Sequence, residues 1–162
     1  RLNAQGWTKP TLVSSEETSQ VASAAWICAK RAQGVPRLQF QAGVSSAYFE
    51  LSKEIVERLD AGEEVLEVDA SCVFALAALA VTRGAEGVRR KIRIEGLPKR
   101  SLQPDAVGLQ WLSQMGAELT YEGSSMIVRG GTSLRALKGL KADLSATPDL
   151  FPVLAVVCSG AE

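Results

Sequence analysis

The residues best suited to chemistry in this sequence stand at the starts of its expected helices. Five starts are polar: the run at 14–20 ending in Thr18-Ser19-Gln20, Gly43-Val44-Ser45-Ser46, Asp69-Ala70-Ser71, Ser101-Leu102-Gln103-Pro104-Asp105, and Thr147-Pro148-Asp149. Serine, threonine and aspartate are the usual caps of a helix N-terminus, and proline suits its first position. Capping by itself accounts for any one of these starts. A helix N-terminus also exposes free N–H groups and a partial positive charge, so it can bind a phosphate or carboxylate. Several such starts aimed at one cleft would form an anion site without a basic surface, and spacing alone leaves their convergence open. Asp149 precedes the apolar run Leu150-Phe151-Pro152-Val153-Leu154. It reads as a cap, or as a partly desolvated carboxylate whose pKa rises toward acid/base values; spacing favours the cap.

Composition narrows the chemistry. The 162 residues suffice for one domain or for pieces of two, and 18 basic residues balance 18 acidic ones. A neutral chain offers no broad footprint for nucleic acid or an acidic membrane. The absence of histidine removes His-based triads and most catalytic zinc sites from this chain. Cys28, Cys72 and Cys158 are odd in number and widely spaced, which is neither a disulfide framework nor a zinc motif. They are expected as small buried hydrophobes in a protein of the reducing cytoplasm. The longest apolar runs, 73–81 and 150–158, are too short to span a membrane. Both ends of the chain read as cut.

The elements that must position these residues follow from periodicity. Helices are expected from about residue 15, stopped by Gly34 and Pro36; over 47–59; over 70–81; over 105–115; and from Pro148. Val21, Ala24, Ala25, Cys28 and Ala29 are the expected inner face of the first, and Leu51, Ile55 and Leu59 that of the second. The third is apolar nearly all round and should be buried. Strands are expected over 38–42, 63–68, 89–95, 118–121, 126–128 and 137–144, with a turn at Gly123-Ser124-Ser125. Residues 55–68 and 109–121 both read as helix, glycine turn and strand, a weak internal repeat. The class is α/β.

These motifs, in their order, resemble those of the 5-enolpyruvylshikimate-3-phosphate synthase family over almost the whole chain. Thr18-Ser19-Gln20 looks like that family's Ser-Ser-Gln motif, and Ser45-Ser46-Ala47-Tyr48 like its Ser-x-x-Tyr segment. Asp69-Ala70-Ser71-Cys72 resembles Asp-Ala-Ser-Ser. Ser101 to Asp105 followed by Met115-Gly116-Ala117 resembles Ser-x-Gln-x-Asp…Met-Gly-Ala, and Pro148-Asp149 resembles Pro-Asp.

The resemblance implies transfer of the enolpyruvyl group of phosphoenolpyruvate onto the 5-hydroxyl of shikimate 3-phosphate, in aromatic amino-acid biosynthesis, with no metal or organic cofactor. It implies that Thr18, Ser19 and Ser45 hold the 3-phosphate, that Gln20 reaches toward phosphoenolpyruvate, that Tyr48 lines the shikimate pocket, and that Asp149 is the acid/base group. It implies a partial copy of the enolpyruvyl transferase fold, an inside-out α/β barrel of βαβαββ units in two domains. Residues 1–66 would belong to the first domain and 67–162 to the second, crossing near 65–69. The expected partners are the two substrates and the remaining parts of the same enzyme, with neither nucleic acid nor membrane.

The sequence departs from the family pattern at Thr18, at Ser46 where a cationic residue is usual, at Ala47 where proline is usual, and in a short 59–68 segment. The family's N-terminal lysine and arginine ligands, its glycine-rich phosphoenolpyruvate loop and its Lys-Glu-Ser-Asp-Arg segment have no match. The piece is therefore not expected to turn over alone. Two alternatives share the fold. An enolpyruvyl transferase acting on UDP-N-acetylglucosamine would use a loop cysteine, whereas all three cysteines fall in expected helices. A diverged, non-catalytic anion- or partner-binding domain is the other.

Overall fold

A computed structural model of the chain describes residues 11–13, 19–31, 38–40, 46–63, 67–82, 91–123, 125–130 and 137–162. The chain divides into two compact units, Arg1–Val65 and Leu66–Glu162.

In the first unit, β1 (Thr11–Val13) and β2 (Leu38–Phe40) pair in parallel, Thr11 opposite Leu38 and Val13 opposite Phe40. Parallel neighbours need a crossover, and α1 (Ser19–Arg31) lies between them in sequence. Of the strand expected over 38–42, residues 38–40 form β2, and 41 and 42 lie outside the described residues. α2 (Ser46–Asp60) follows. The two helices meet through a Ser52–Ser23 hydroxyl hydrogen bond of 2.9 Å and an edge-to-face Trp26–Phe49 contact with centroids 6.4 Å apart. That packing selects a face of α1 that matches the expected one only in part. Ala22 is buried, while Val21, Ala24 and Cys28 are exposed. On α2 the buried residue is Val56, and Leu59 is half exposed. The expected faces are met in part: Ala25, Ala29, Leu51 and Ile55 are half-buried, while Ala22 and Val56, outside the expected sets, are the residues fully covered.

The second unit is built on α3 (Ala70–Thr82), β3 (Lys91–Glu95), α4 (Val107–Gln114), β4 (Glu118–Glu122), β5 (Ser125–Arg129) and α5 (Phe151–Cys158). A 3-10 turn leads into each of the last two helices, Pro104–Ala106 before α4 and Pro148–Leu150 before α5. The three strands form an antiparallel sheet ordered β3-β5-β4. Arg129 stands opposite Lys91 and Glu118, and Ser125 opposite Glu95 and Glu122. The central strand is buried from Ser125 to Val128, and β3 alternates exposed charges with Ile92 and Ile94. At the sheet's end the buried Ser125 hydroxyl donates to Glu95 at 2.5 Å and accepts from Arg93 at 2.7 Å. The serine hydrogen bond first, and the Arg93 contact next, hold the Glu95 carboxyl below its ordinary pKa.

Phe74 and Val81 of α3, Leu97, Leu112, Met115, Met126, Leu150 and Val157 form the fully enclosed heart of this unit. Burying side chains of this size contributes roughly 1.5–3 kcal/mol each. α3 is not covered on every side. Leu76 and Leu79 are over 40% exposed, as are Phe151 and Val156 of α5.

Three further expectations give way. Residues 137–144 form no strand, because their backbone is engaged elsewhere. The Lys138 N–H donates to the Met115 carbonyl, and Leu137 and Gly139 exchange hydrogen bonds with Glu162. Of the strand expected over 63–68, the described residues 63, 67 and 68 are irregular, with the Val68 N–H donating to the Gly96 carbonyl. The cysteines are not buried: Cys28 and Cys72 are exposed and Cys158 is half-buried. Cys72 and Cys158 stand beside the buried Val73 and Val157, and a helix turns a neighbour's side chain about 100° away.

Candidate functional site

Three of the five polar helix starts come together in the second unit. The N–H of Ala70, at the start of α3, donates to the Gln103 side-chain oxygen at 2.8 Å. Ser71 donates to the buried carboxylate of Asp105 in the turn before α4. Gly108, one residue into α4, lies so close to Phe74 and Leu150 that a Cβ there would come within 2.7 Å of the Phe74 ring and 3.1 Å of Leu150. Leu150 closes the turn that leads into α5. The starts of α3 and α4 are thus joined directly, and the turn before α5 packs onto them through Leu150.

Different residues do different work at these starts. Asp69 is a cap: its carboxylate accepts from the Cys72 N–H at 2.8 Å. The nearby Asp69 charge, and then its hydrogen bond, raise the Cys72 thiol above its ordinary pKa. Asp149 is not a cap. The residue in the cap position of its turn is Thr147, and it makes no capping hydrogen bond. Asp149 sits inside the first turn, exposed, so the expected desolvation by the apolar helix is absent. Beside it the Thr147 hydroxyl is buried, with no hydrogen-bond partner among the described residues.

Gln103, part of the fourth polar start but given no role of its own from the sequence, ties the junction together. Its amide nitrogen donates to the Val68 carbonyl at 2.8 Å and to Glu67 at 3.1 Å, while its oxygen takes the Ala70 N–H. Ser101 adds a 2.5 Å hydrogen bond to the same Glu67 carboxylate. A glutamine in a run of capping residues was the available signal, since it is too long to cap its own helix and must reach a neighbour. Gln103→Ala strands the Ala70 N–H and the Val68 carbonyl. A loss of about 1–3 kcal/mol is expected in urea unfolding, against about 1 kcal/mol for removing the Asp69 cap. Equal losses would contradict the bridging role of Gln103.

The first unit holds the other expected site residues. Thr18 and Ser45 lie outside the described residues, and Ser19 opens α1. Gln20 is exposed in the first turn of α1, and Tyr48 is half-buried in the first turn of α2, where its carbonyl accepts from Ser52. The Ser23–Ser52 contact lies in the second turn of each helix, so both starts are within two turns of one point. Among the described residues no cluster of Cys, Asp and Glu is placed to hold a metal ion, and no helix is long and apolar enough to cross a membrane.

Comparison with known proteins bears on residues 54–162, which match the model of EPSP synthase (3-phosphoshikimate 1-carboxyvinyltransferase). A 3-phosphoshikimate 1-carboxyvinyltransferase of Methanosarcina acetivorans is 40% identical over 94 residues, 57% of this chain and 20% of the relative. The Nicotiana tabacum protein 3-phosphoshikimate 1-carboxyvinyltransferase 2 is 33% identical over 106 residues, 62% of this chain and 30% of the relative. That of Clostridioides difficile is 39% identical over 75 residues, 46% of this chain and 16% of the relative. The matched stretch thus spans about a sixth to a third of the length of these curated relatives. Asp149 and the junction fall within the residues that the family model matches; positions 18 to 48 precede them.

Proposed function

The chain belongs to the EPSP synthase (3-phosphoshikimate 1-carboxyvinyltransferase) family, and from that premise we propose that it forms part of an enzyme that moves the enolpyruvyl group of phosphoenolpyruvate onto the 5-hydroxyl of shikimate 3-phosphate. The observation that carries this reading is the family match across the junction of helix starts, with Asp149 standing open at it. Phosphate is released, and the proton of the 5-hydroxyl has to leave as that oxygen bonds to carbon. A carboxylate is a suitable acceptor. Asp149 has no hydrogen bond or ion pair to another described residue that would occupy it.

In the first unit, Thr18, Ser19 and Ser45 hold the 3-phosphate, Gln20 reaches toward phosphoenolpyruvate and Tyr48 borders the shikimate ring. This assignment rests on the motif resemblance and on the chemistry of phosphate, which takes hydroxyl and helix N–H donors readily. The exposed Gln20 and the half-buried Tyr48, each in a first helical turn, are compatible with it. The cations that phosphoenolpyruvate requires come from other parts of the polypeptide. The three unpaired cysteines suit the reducing cytoplasm as the compartment. Calorimetric titration of the intact protein with shikimate 3-phosphate tests the reading. Ser19→Ala and Ser45→Ala are each expected to weaken binding about tenfold, the worth of one hydrogen bond to a charged group. Unchanged affinity in both variants would remove these serines from the site.

A further inference from the structure

The second unit carries a groove that the junction does not use. It runs between the outer face of α4 and the side of β4, encloses about 900 Å³ and shares with the junction network only Ser101. Its floor is apolar: Leu109, Leu119, Ala106 and the ring of Tyr121. Lys99 and Arg100 stand at one end, exposed and without an ion pair among the described residues. Gln110, Ser113 and Gln114 form a polar stripe at helical spacing along one wall. Among the described residues no aspartate or glutamate lines it. The two carboxylates of β4 are engaged elsewhere, Glu118 with Arg129 at 2.6 Å and Glu122 with Arg93 at 3.3 Å. The groove therefore has a positive end, with the Glu67 carboxylate tied up by Ser101 at its edge, and an apolar surface with an aromatic ring beyond it.

From this we infer that the α4–β4 groove binds a small organic anion, an aromatic ring bearing a carboxylate or phosphate, with the acid on Lys99 and Arg100 and the ring against Tyr121 and Leu119. Concave sites of this kind combine an apolar floor with a few polar groups that fix orientation. Arginine and lysine supply the anion contact, the guanidinium in two-pronged fashion. Burial holds the Tyr121 phenol protonated above its ordinary range, so its O–H remains available as a donor.

Phenyl phosphate, benzoate, inorganic phosphate and benzyl alcohol serve as probes on the intact protein by calorimetry, with saturation-transfer NMR on the ring protons. Phenyl phosphate or benzoate should bind more tightly than inorganic phosphate and than benzyl alcohol, and which of the two binds better identifies the acid group. The double variant Lys99→Gln, Arg100→Gln should weaken the preferred acid at least about fivefold, and Tyr121→Leu should abolish the saturation transfer. Neither residue pairs with another described side chain, so the double variant tests charge without disturbing packing. Enolpyruvyl transfer should be unaffected by it. Three results would each overturn the proposal: affinity indifferent to the double variant, inorganic phosphate binding as well as either aromatic acid, or loss of transfer together with loss of binding, which would make the groove part of the catalytic site.

Discussion

Asp149→Ala in the intact enzyme is expected to lower turnover by about two to four orders of magnitude, the contribution of a positioned acid/base group. The KM for shikimate 3-phosphate should change far less. The reason is positional. Asp149 lies in the first turn that leads into α5, exposed, next to a cap residue that makes no capping bond, so its carboxylate is not spent on holding the helix. Its loss should cost little stability. Asp149→Asn keeps size and hydrogen-bonding capacity but cannot take a proton, and should lose nearly as much rate. A turnover assay with both variants, alongside urea unfolding, separates the roles. Equal loss of rate and stability would make Asp149 a structural residue, and an unchanged rate would remove it from the mechanism.

Gly130→Ala should produce the largest loss of stability. Gly130 follows β5, where the chain leaves the central strand against the last turns of α3. A Cβ there would lie 2.1 Å from the Ala80 carbonyl oxygen and 3.1 Å from its carbon. Both belong to helical backbone, and Ala80 and Val81 are buried, so neither can swing away as a side-chain tip could. Relief requires sliding α3 off the sheet. A cost of about 3 kcal/mol or more is expected, at the upper end for overpacking and a large share of a typical domain's stability. Gly123→Ala is the control. Gly123 has φ of 62° and nothing within 4 Å of a Cβ, so only the backbone preference is lost, about 1 kcal/mol. If the urea midpoints of the two variants fell by the same amount, the close approach of β5 to α3 would be wrong.

The second unit was the more legible in sequence, for a physical reason. α3, α4, the paired strands β4 and β5 and the start at Pro148 are fixed by local signals: an unbroken apolar run, Pro104 and Pro148, alternation on β3, and a glycine turn at Gly123. Where local signals are degenerate, the reading slipped. The alanine-rich α1 has no dominant apolar stripe, and its inner face was set by Trp26 meeting Phe49. Residues 137–144 alternate like a strand, yet their hydrogen bonds go to Met115 and Glu162, partners no periodicity could identify. Of the repeat read over 55–68 and 109–121, the helices and the glycine turns at Gly62 and Gly116, both with positive φ, have counterparts, but only the second copy goes on into a strand among the described residues.

By itself, the sequence determined the kinds of groups available: polar helix starts in place of basic patches, no histidine, and an aspartate ahead of each of two apolar helices. It also carried the family motifs in order. Whether those starts meet was a tertiary question. The answer depends on Gly108 letting Phe74 and Leu150 close up, and on Gln103 reaching across from one helix start to another. The division between cap and open carboxylate was likewise decided in three dimensions. Asp69 turns back onto the Cys72 N–H, whereas Asp149, one residue type at a similar start, stands inside its turn and faces water. Capping depends on the backbone angles of a single residue and on what packs behind it, and neither is written in spacing.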